Sequence, residues 1–271
     1  ALSSAHRGGG AGSLIETGDT APGARTIDPS YAVAPETRRA PPSSEEATLL
    51  QRAAELAMAE GQHYGAVAHL SRLSKQRPDD KRVAYDLARH LRYIGALSDA
   101  ERVLNDARAR HPEDPLLQLE LAKAKIAGGF AEEALILLSA LRTRISDDPA
   151  ILQAVGVAND RLGRHAAAQE AYADAIALGR PSAPLLNNDG LSRLLSGDID
   201  GAVRSLRRAS TAPGASAQVR QNLALALVLR GDDEEARRVA KGSLPEDLAK
   251  QMLEKYRSIA VAQDAWSLAQ E

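Results

Sequence analysis

The stretch ANDRLGRHAAAQEAY, residues 158–172, contains Gly163 and, five residues later, Ala168. The same pair recurs every 34 residues along the chain, six times in all. The glycines are Gly61, Gly95, Gly129, Gly163, Gly197 and Gly231, and the alanines are Ala66, Ala100, Ala134, Ala168, Ala202 and Ala236. A glycine that ends one helix, followed by a small residue early in the next, predicts helical hairpins of one kind packed in tandem.

This period resembles that of the tetratricopeptide repeat (TPR), a unit of two short helices joined by a turn. We therefore predict an all-α fold, a TPR solenoid that winds as a right-handed superhelix of about six repeats over residues 45–244. From Ala47 the repeats run 47–80, 81–114, 115–148, 149–182, 183–216 and 217–250. Asp114-Pro115 and Asp148-Pro149 are expected to start helices, with aspartate as the cap and proline in the first helical position.

At two further positions of the repeat, the side chains have the sizes that helix packing requires. The eighth position is always small, which lets a neighbouring helix approach closely: Ala54, Ala88, Ala122, Gly156, Gly190 and Ala224. The twenty-fourth position is large until the sixth repeat: Leu70, Leu104, Leu138, Tyr172, Leu206 and Ala240. The small Ala240 indicates that a further element completes the last repeat.

The two ends of the chain differ from the repeats. Residues 1–44 are rich in glycine, serine and proline and lack helical periodicity, which predicts a disordered tether, either native or left by recombinant expression. Ser43 and Glu46 have the spacing of a helix-capping box. Residues 245–271 predict a capping helix over the open end of the solenoid. That helix would place four apolar residues on one face and the only tryptophan near its end: Leu248, Met252, Tyr256, Ile259 and Trp266.

Composition argues against several classes of function. The 34 basic and 36 acidic residues give a net charge of −2, so no global field favours nucleic acid, and we expect no nucleic-acid partner. The absence of cysteine excludes disulfides, thiolate metal sites and a cysteine nucleophile. The six histidines lack metal-binding spacing, and no catalytic constellation emerges. We therefore predict a protein without catalytic residues, metal or cofactor, that is, not an enzyme.

Three segments in the second half of the chain carry a more specific resemblance. They are VGVANDRLGRHAAAQEAYADAIAL (155–178), LLNNDGLSRLLSGDIDGAVRSLRRA (185–209) and RQNLALALVLRGDDEEARRVA (220–240). Together with the Leu244-Pro245 step that follows, they resemble TadD, the TPR lipoprotein of the tight-adherence (Tad) pilus secretion system. The specific match covers about residues 150–250, residues 47–149 match only as TPR, and residues 1–44 do not match.

The resemblance implies a non-enzymatic, pilotin-like lipoprotein on the periplasmic face of the bacterial outer membrane. Such a protein helps to assemble or stabilise the Tad pilus secretin, and its partner would be the secretin or another pilus assembly protein. The chain departs from the family in having no lipidated cysteine. The simplest interpretation is that Ala1 follows a removed signal and its lipid-bearing cysteine. The alternatives are a cytoplasmic TPR adaptor or co-chaperone that binds a peptide carboxylate, and a structural protein that self-associates.

The TPR resemblance also implies which residues line the concave groove, namely positions 2, 5, 6, 9, 12 and 13 of each first helix. In the second half of the chain these positions carry amides: Gln153, Asn187, Asn188, Gln221 and Asn222. Asn188 and Asn222 occupy position six, where peptide-binding TPR proteins use asparagine to hold the backbone of an extended peptide. A carboxamide suits this role because it both donates and accepts hydrogen bonds. The alternative is a solvated groove without a ligand.

A second candidate patch lies in the repeat over residues 81–114. Four of its groove positions combine tyrosine with arginine: Tyr85, Arg89, Arg92 and Tyr93. Arginine beside tyrosine suits a carboxylate or an acidic segment that contains an aromatic residue, through bidentate hydrogen bonds and stacking. The alternative is a solvated arginine face that pairs with Asp86 and Glu120.

Overall fold

The computed structural model describes residues 44–179 and 181–268, with side chains over 45–179 and 181–258. In these ranges the chain forms thirteen α-helices and no strand, which confirms the all-α prediction. The helices are α1 Ser44–Ala59, α2 His63–Gln76, α3 Lys81–Tyr93, α4 Leu97–Arg110, α5 Pro115–Ala127, α6 Ala131–Arg142, α7 Pro149–Arg161, α8 His165–Ala177, α9 Ala183–Leu195, α10 Ile199–Thr211, α11 Ala217–Arg230, α12 Asp233–Lys241 and α13 Glu246–Leu268. The predicted tether and the Ser43 cap lie outside the described residues, as do the side chains of Ile259 and Trp266.

The helices form two compact units, α1–α6 over residues 44–146 and α7–α13 over residues 147–268. In each unit every helix packs against the next one along the chain, so that the repeats are helical hairpins in tandem. First helices of successive repeats also touch, α3 with α5 in one unit and α9 with α7 and α11 in the other. These are the contacts expected of TPR units.

The repeat glycines act as predicted. All six have a left-handed backbone, with φ between 68° and 89°, a conformation that costs a residue without Cβ little. At Gly163 the turn is closed by two hydrogen bonds, from Gly163 N–H to the carbonyl of Asp160 (3.0 Å) and from Arg164 N–H to the carbonyl of Asn159 (2.9 Å). This is the Schellman pattern that ends a helix. The paired alanines, Ala168 among them, are all fully buried.

The predicted helix caps are confirmed. The carboxylate of Asp114 accepts hydrogen bonds from the N–H groups of Leu116 and Leu117 at 3.0 and 3.2 Å, and Pro115 occupies the first turn of α5. Asp148 caps α7 in the same way, with a proline in its first turn. Each cap satisfies backbone donors that the helix leaves unpaired, so the start of each of these repeats is defined locally.

The small and large positions of the repeat meet inside the first two hairpins of the second unit, α7–α8 and α9–α10. A Cβ placed on Gly156 would overlap the ring of Tyr172, and one on Gly190 would lie 2.5 Å from Cγ of Leu206. Tyr172 and Leu206 are fully buried. The glycines of α7 and α9 are therefore required by the close approach of a large side chain from the second helix.

Helix α13 packs against α11 and α12, as a capping helix should. Ala249 and Leu253 are buried, and Met252 and Tyr256 pack partly buried against the same core, which includes Ala240. Leu248, by contrast, is 51% exposed. Met252 and Tyr256 thus pack against the core as predicted, whereas Leu248 does not, because Ala249 and Leu253 take the most buried positions of α13.

Replacing Gly156 with alanine tests the size constraint. Alanine improves helix propensity by about 1 kcal/mol, but its methyl group displaces the buried Tyr172 ring, and overpacking costs about 1–3 kcal/mol. We expect Gly156→Ala to lower the free energy of unfolding by about 1–2 kcal/mol in urea denaturation.

Gly65→Ala is the matched control, because the nearest atom to a Cβ at this helical position lies 3.6 Å away. It should be neutral or stabilising by up to about 1 kcal/mol. Equal destabilisation by both substitutions would contradict the packing explanation.

Candidate functional site

The tyrosine–arginine patch lies on α3 in the first unit. Tyr85 and Arg89 are half-buried, whereas Arg92 and Tyr93 are buried. Arg89 Nε donates a hydrogen bond to the Tyr93 hydroxyl at 3.0 Å. The guanidinium carbons of Arg89 and Arg92 lie 5.4 and 4.8 Å from the centre of the Tyr93 ring. The structure therefore brings three of the four predicted residues together around one ring.

Arg92 makes a buried ion pair with Glu120 of α5. Its Nε lies 2.7 Å from Oε1 of Glu120, and the two side chains are only 3% and 1% exposed. This differs from the solvated, groove-facing arginine that the repeat position predicts. The pairing itself is the one proposed as the alternative for this patch, and Arg82 likewise pairs with Asp86 at 2.9 Å. Arg92 therefore already binds a partner within the protein. Tyr85 and Arg89, which are half-buried, are the accessible part of the patch.

The same patch includes two histidines that the sequence did not indicate. Nδ1 of His63 and Nδ1 of His90 lie 3.0 Å apart, and the His63 ring lies 4.6 Å from the ring of Tyr93. Burial, the proximity of His63 and the positive charges of Arg89 and Arg92 lower the pKa of His90 to about 4. Burial also lowers the pKa of His63. Both imidazoles are therefore neutral at pH 7, one donating to the other.

In the second unit, three carboxamides form a ladder between α9 and α11. Asn222 Nδ2 donates to Oδ1 of Asn187 at 2.8 Å, and Gln218 Nε2 donates to Oδ1 of Asn222 at 3.1 Å. Asn187 and Asn222 are buried. Two of the predicted amides, Asn187 and Asn222, thus bind each other across neighbouring repeats, and the third member of the ladder, Gln218, was not among the predicted residues.

Asn188 is different. It is 1% exposed, and among the residues with described side chains neither its Oδ1 nor its Nδ2 has a hydrogen-bond partner. Gln153 on α7 and Gln221 on α11 are half-buried, so their amides are partly accessible. The second unit therefore offers one enclosed, unsatisfied amide and two accessible amides on first helices.

Buried carboxylates also stabilise the second unit. Asp160 on α7 accepts hydrogen bonds from the Tyr172 hydroxyl (2.9 Å), the Ser192 hydroxyl (2.7 Å) and Nδ1 of His165 (2.9 Å). Burial raises the pKa of Asp160, although its three donors act in the opposite direction. These contacts join α7, α8 and α9, which gives Asp160 a structural role that repeat position alone did not reveal.

Asp189 on α9 is a second such group. It accepts a hydrogen bond from the Ser205 hydroxyl of α10, and both its oxygens lie 3.1 Å from Nε of Arg193. Arg193 also contacts Asp198 at 2.9 Å through Nη1. Asp160 and Asp189 are thus satisfied by hydroxyl and cationic donors within the unit, and their contacts indicate structural acceptors rather than an acid–base pair.

Removing Arg92 tests the buried ion pair. Arg92→Leu leaves Glu120 buried without its cation, so we expect the free energy of unfolding to fall by about 3–5 kcal/mol. The double variant Arg92→Leu with Glu120→Leu should recover most of this loss in urea denaturation. Arg102→Leu, which removes one partner of the exposed pair with Asp99, should cost less than about 1 kcal/mol. A double variant no more stable than the single would contradict the assignment.

The histidine pair predicts a pH dependence. Because the folded-state pKa of His90 lies below its unfolded value of about 6.5, the unfolded state binds protons more readily, and stability is lost as pH falls from about 6.5 to 4. We expect a loss of roughly 1–3 kcal/mol over this range. His90→Asn should flatten the slope of unfolding free energy against pH, whereas His69→Asn, on α2 but outside this pair, should not. An unchanged slope in His90→Asn would contradict this explanation.

Comparison with known proteins identifies the repeats. The sequence model described as "Tetratricopeptide repeat" matches residues 57–118. A thermophilic TPR protein of Thermus thermophilus, TTC0263, is 21% identical over 67% of this chain and 99% of its own, with a TM-score of 0.62. A TPR protein of Parabacteroides merdae is 15% identical over 82% of this chain and 91% of its own, with a TM-score of 0.54.

A chain in the structure of the Cut9–Hcn1 hetero-tetramer of the APC/C is 18% identical to this chain, with a TM-score of 0.66. The match covers 79% of this chain and 43% of that chain. At these identities the likeness shows the fold alone. No curated protein sequence matches the chain significantly. Among the described residues, no helix is both long and apolar enough to cross a membrane. Residues 57–118 therefore match the tetratricopeptide repeat, and the described helices share the fold of solved TPR proteins; such repeats generally serve as scaffolds that bind other proteins.

Proposed function

We propose that this chain is a TadD-like, pilotin-like scaffold that binds the Tad pilus secretin, or another protein of that assembly, through the first helices of its repeats. Its place would be the periplasmic face of the outer membrane, reached through an N-terminal lipid anchor. Support comes from the segments that resemble TadD, residues 155–178, 185–209 and 220–240. These segments lie within α7–α12, the part of the chain that also holds the row of amides.

The observation that carries the proposal is the unpaired amide of Asn188. An enclosed polar group without a hydrogen bond costs about 1–3 kcal/mol relative to a satisfied one. A peptide unit offers one donor and one acceptor, which matches the two unpaired atoms of Asn188. Since Asn188 is 1% exposed, a bound segment reaches it only when neighbouring side chains move aside. The hydrogen bonds then gained offset the cost of that movement.

The carboxylate-binding adaptor is the weaker hypothesis for this structure. It needs arginines that are free to form bidentate hydrogen bonds with a ligand. Arg92 is already paired with Glu120 at 2.7 Å in a buried site, and Arg89 donates to the Tyr93 hydroxyl. A carboxylate would therefore have to compete with internal partners, whereas the amide of Asn188 has none.

Calorimetric titration of secretin fragments from the same gene cluster tests the proposal. We expect saturable binding to the wild-type chain that is at least about tenfold weaker in Asn188→Ala, a loss of about 1.4 kcal/mol. The same substitution should leave the stability of the free protein unchanged or higher, because it removes an unsatisfied buried group. Gln251→Ala, which removes an exposed amide from α13, should bind like wild type.

Asn222→Ala separates structure from recognition. It removes the hydrogen bond to Asn187 and should destabilise the free protein by about 1–2 kcal/mol. The amide hypothesis is wrong if a folded Asn188→Ala variant binds undiminished. Absence of binding to any secretin fragment would reject the secretin as the partner.

A further inference from the structure

A cleft of about 330 Å³ lies between α12 and α13, away from the first-helix positions considered above. Buried Ala249 and Leu253 contribute to its lining and form its apolar floor. Its walls carry four cationic side chains, two from each helix: Arg237, Lys241, Lys250 and Arg257. Cavities of this size accept one or two side chains of a partner.

The charges of the cleft are unbalanced. Four cations lie in the cleft with two lining carboxylates, Glu246 and Glu254, and a third carboxylate, Asp233, pairs with Arg257 at 3.2 Å. Lys241 is paired with Glu246 at 2.6 Å. The cleft thus keeps an excess of one positive charge in a chain whose net charge is −2, and a concave surface with such an excess attracts the opposite sign.

Two of the cations have no counter-ion. Among residues with described side chains, neither Arg237 on α12 nor Lys250 on α13 forms an ion pair or a side-chain hydrogen bond. The two side chains are exposed and belong to different helices that border the same apolar floor. An anionic ligand lying along the cleft can therefore contact both without displacing an internal partner.

We propose that the α12–α13 cleft is a docking site for an acidic protein segment, with carboxylates that pair with Arg237 and Lys250 and an apolar side chain between them that packs on the aliphatic stems of the lining cations. Those stems favour such a segment over a free anion, because an inorganic anion gains nothing from apolar surface. The site is independent of the amide row of α9 and α11 and of the function proposed for it.

A fluorescein-labelled peptide Glu-Glu-Leu-Glu-Glu tests the site by fluorescence anisotropy with the full chain. We expect saturable binding that weakens as sodium chloride rises from about 50 to 300 mM, since salt screens exposed charges. The double variant Arg237→Glu with Lys250→Glu should weaken binding at least tenfold, and Arg237→Gln with Lys250→Gln should weaken it less. The peptide Gln-Gln-Leu-Gln-Gln should bind at least tenfold more weakly than the acidic one.

Arg204→Glu with Arg208→Glu is the matched control, because it also reverses the charge of two exposed cationic residues, and these arginines of α10 lie outside the cleft. It should change affinity less than twofold, and circular dichroism should show that all variants remain folded. Equal weakening by the control would show a nonspecific charge effect and overturn the proposal. So would the absence of saturable binding, equal binding of the glutamine peptide, or displacement by low-millimolar inorganic phosphate, which would indicate a simple anion site.

Discussion

In the hairpins α7–α8 and α9–α10, the distance between the two helices is set by one pair of residues. A small residue at the eighth position receives a large side chain from the twenty-fourth, as Gly156 receives Tyr172 and Gly190 receives Leu206. The alanines that follow the turn glycines are fully buried for the same reason. Large core side chains and close helices are compatible only because the opposing position is small. This constraint places first-helix residues of one repeat within reach of the next.

That proximity explains how the polar first-helix residues are used. Glu120 accepts from Arg92, Asp160 from Tyr172 and Ser192, and Asn187 from Asn222. Burying a charge or an amide is unfavourable unless it is hydrogen-bonded, and each of these groups is. Three of the predicted groove residues, Arg92, Asn187 and Asn222, thus link helices within their own unit. On the first helices, the residues that a partner can still bind are therefore the half-buried ones and Asn188, whose amide has no hydrogen bond among the described side chains.

Local chemistry made the fold predictable from the sequence. A left-handed glycine, an aspartate cap and a proline in the first turn each act within a few residues, so the helix starts and turns could be read directly from the chain. The polar pairs could not be read this way, because their partners are 28, 32 and 35 residues apart in sequence. These separations are close to one 34-residue repeat, the spacing at which first helices of neighbouring repeats touch. The sequence indicates Glu120 as a partner of the arginine face only as the alternative for that patch, and it does not indicate the contacts of Asp160 with Ser192 or of Asn187 with Asn222.

The last repeat is covered differently from the repeats inside the array. Between repeats, a first helix is covered by the next hairpin, and polar residues find partners there. At α12 this next hairpin is replaced by the single helix α13, which covers Ala240 through Ala249, Leu253 and the half-buried Tyr256 but leaves a cleft lined with cations. A single helix has only one apolar face, so it can complete the core without pairing every charge of the hairpin that it covers. Among residues with described side chains, Arg237 and Lys250 thus remain without an ion pair where the repeats end, whereas the amide of Asn188 remains without a hydrogen bond inside them. An amide recognises the backbone of almost any segment, while Arg237 and Lys250 select for acidic side chains, so the two surfaces would distinguish partners by different chemistry.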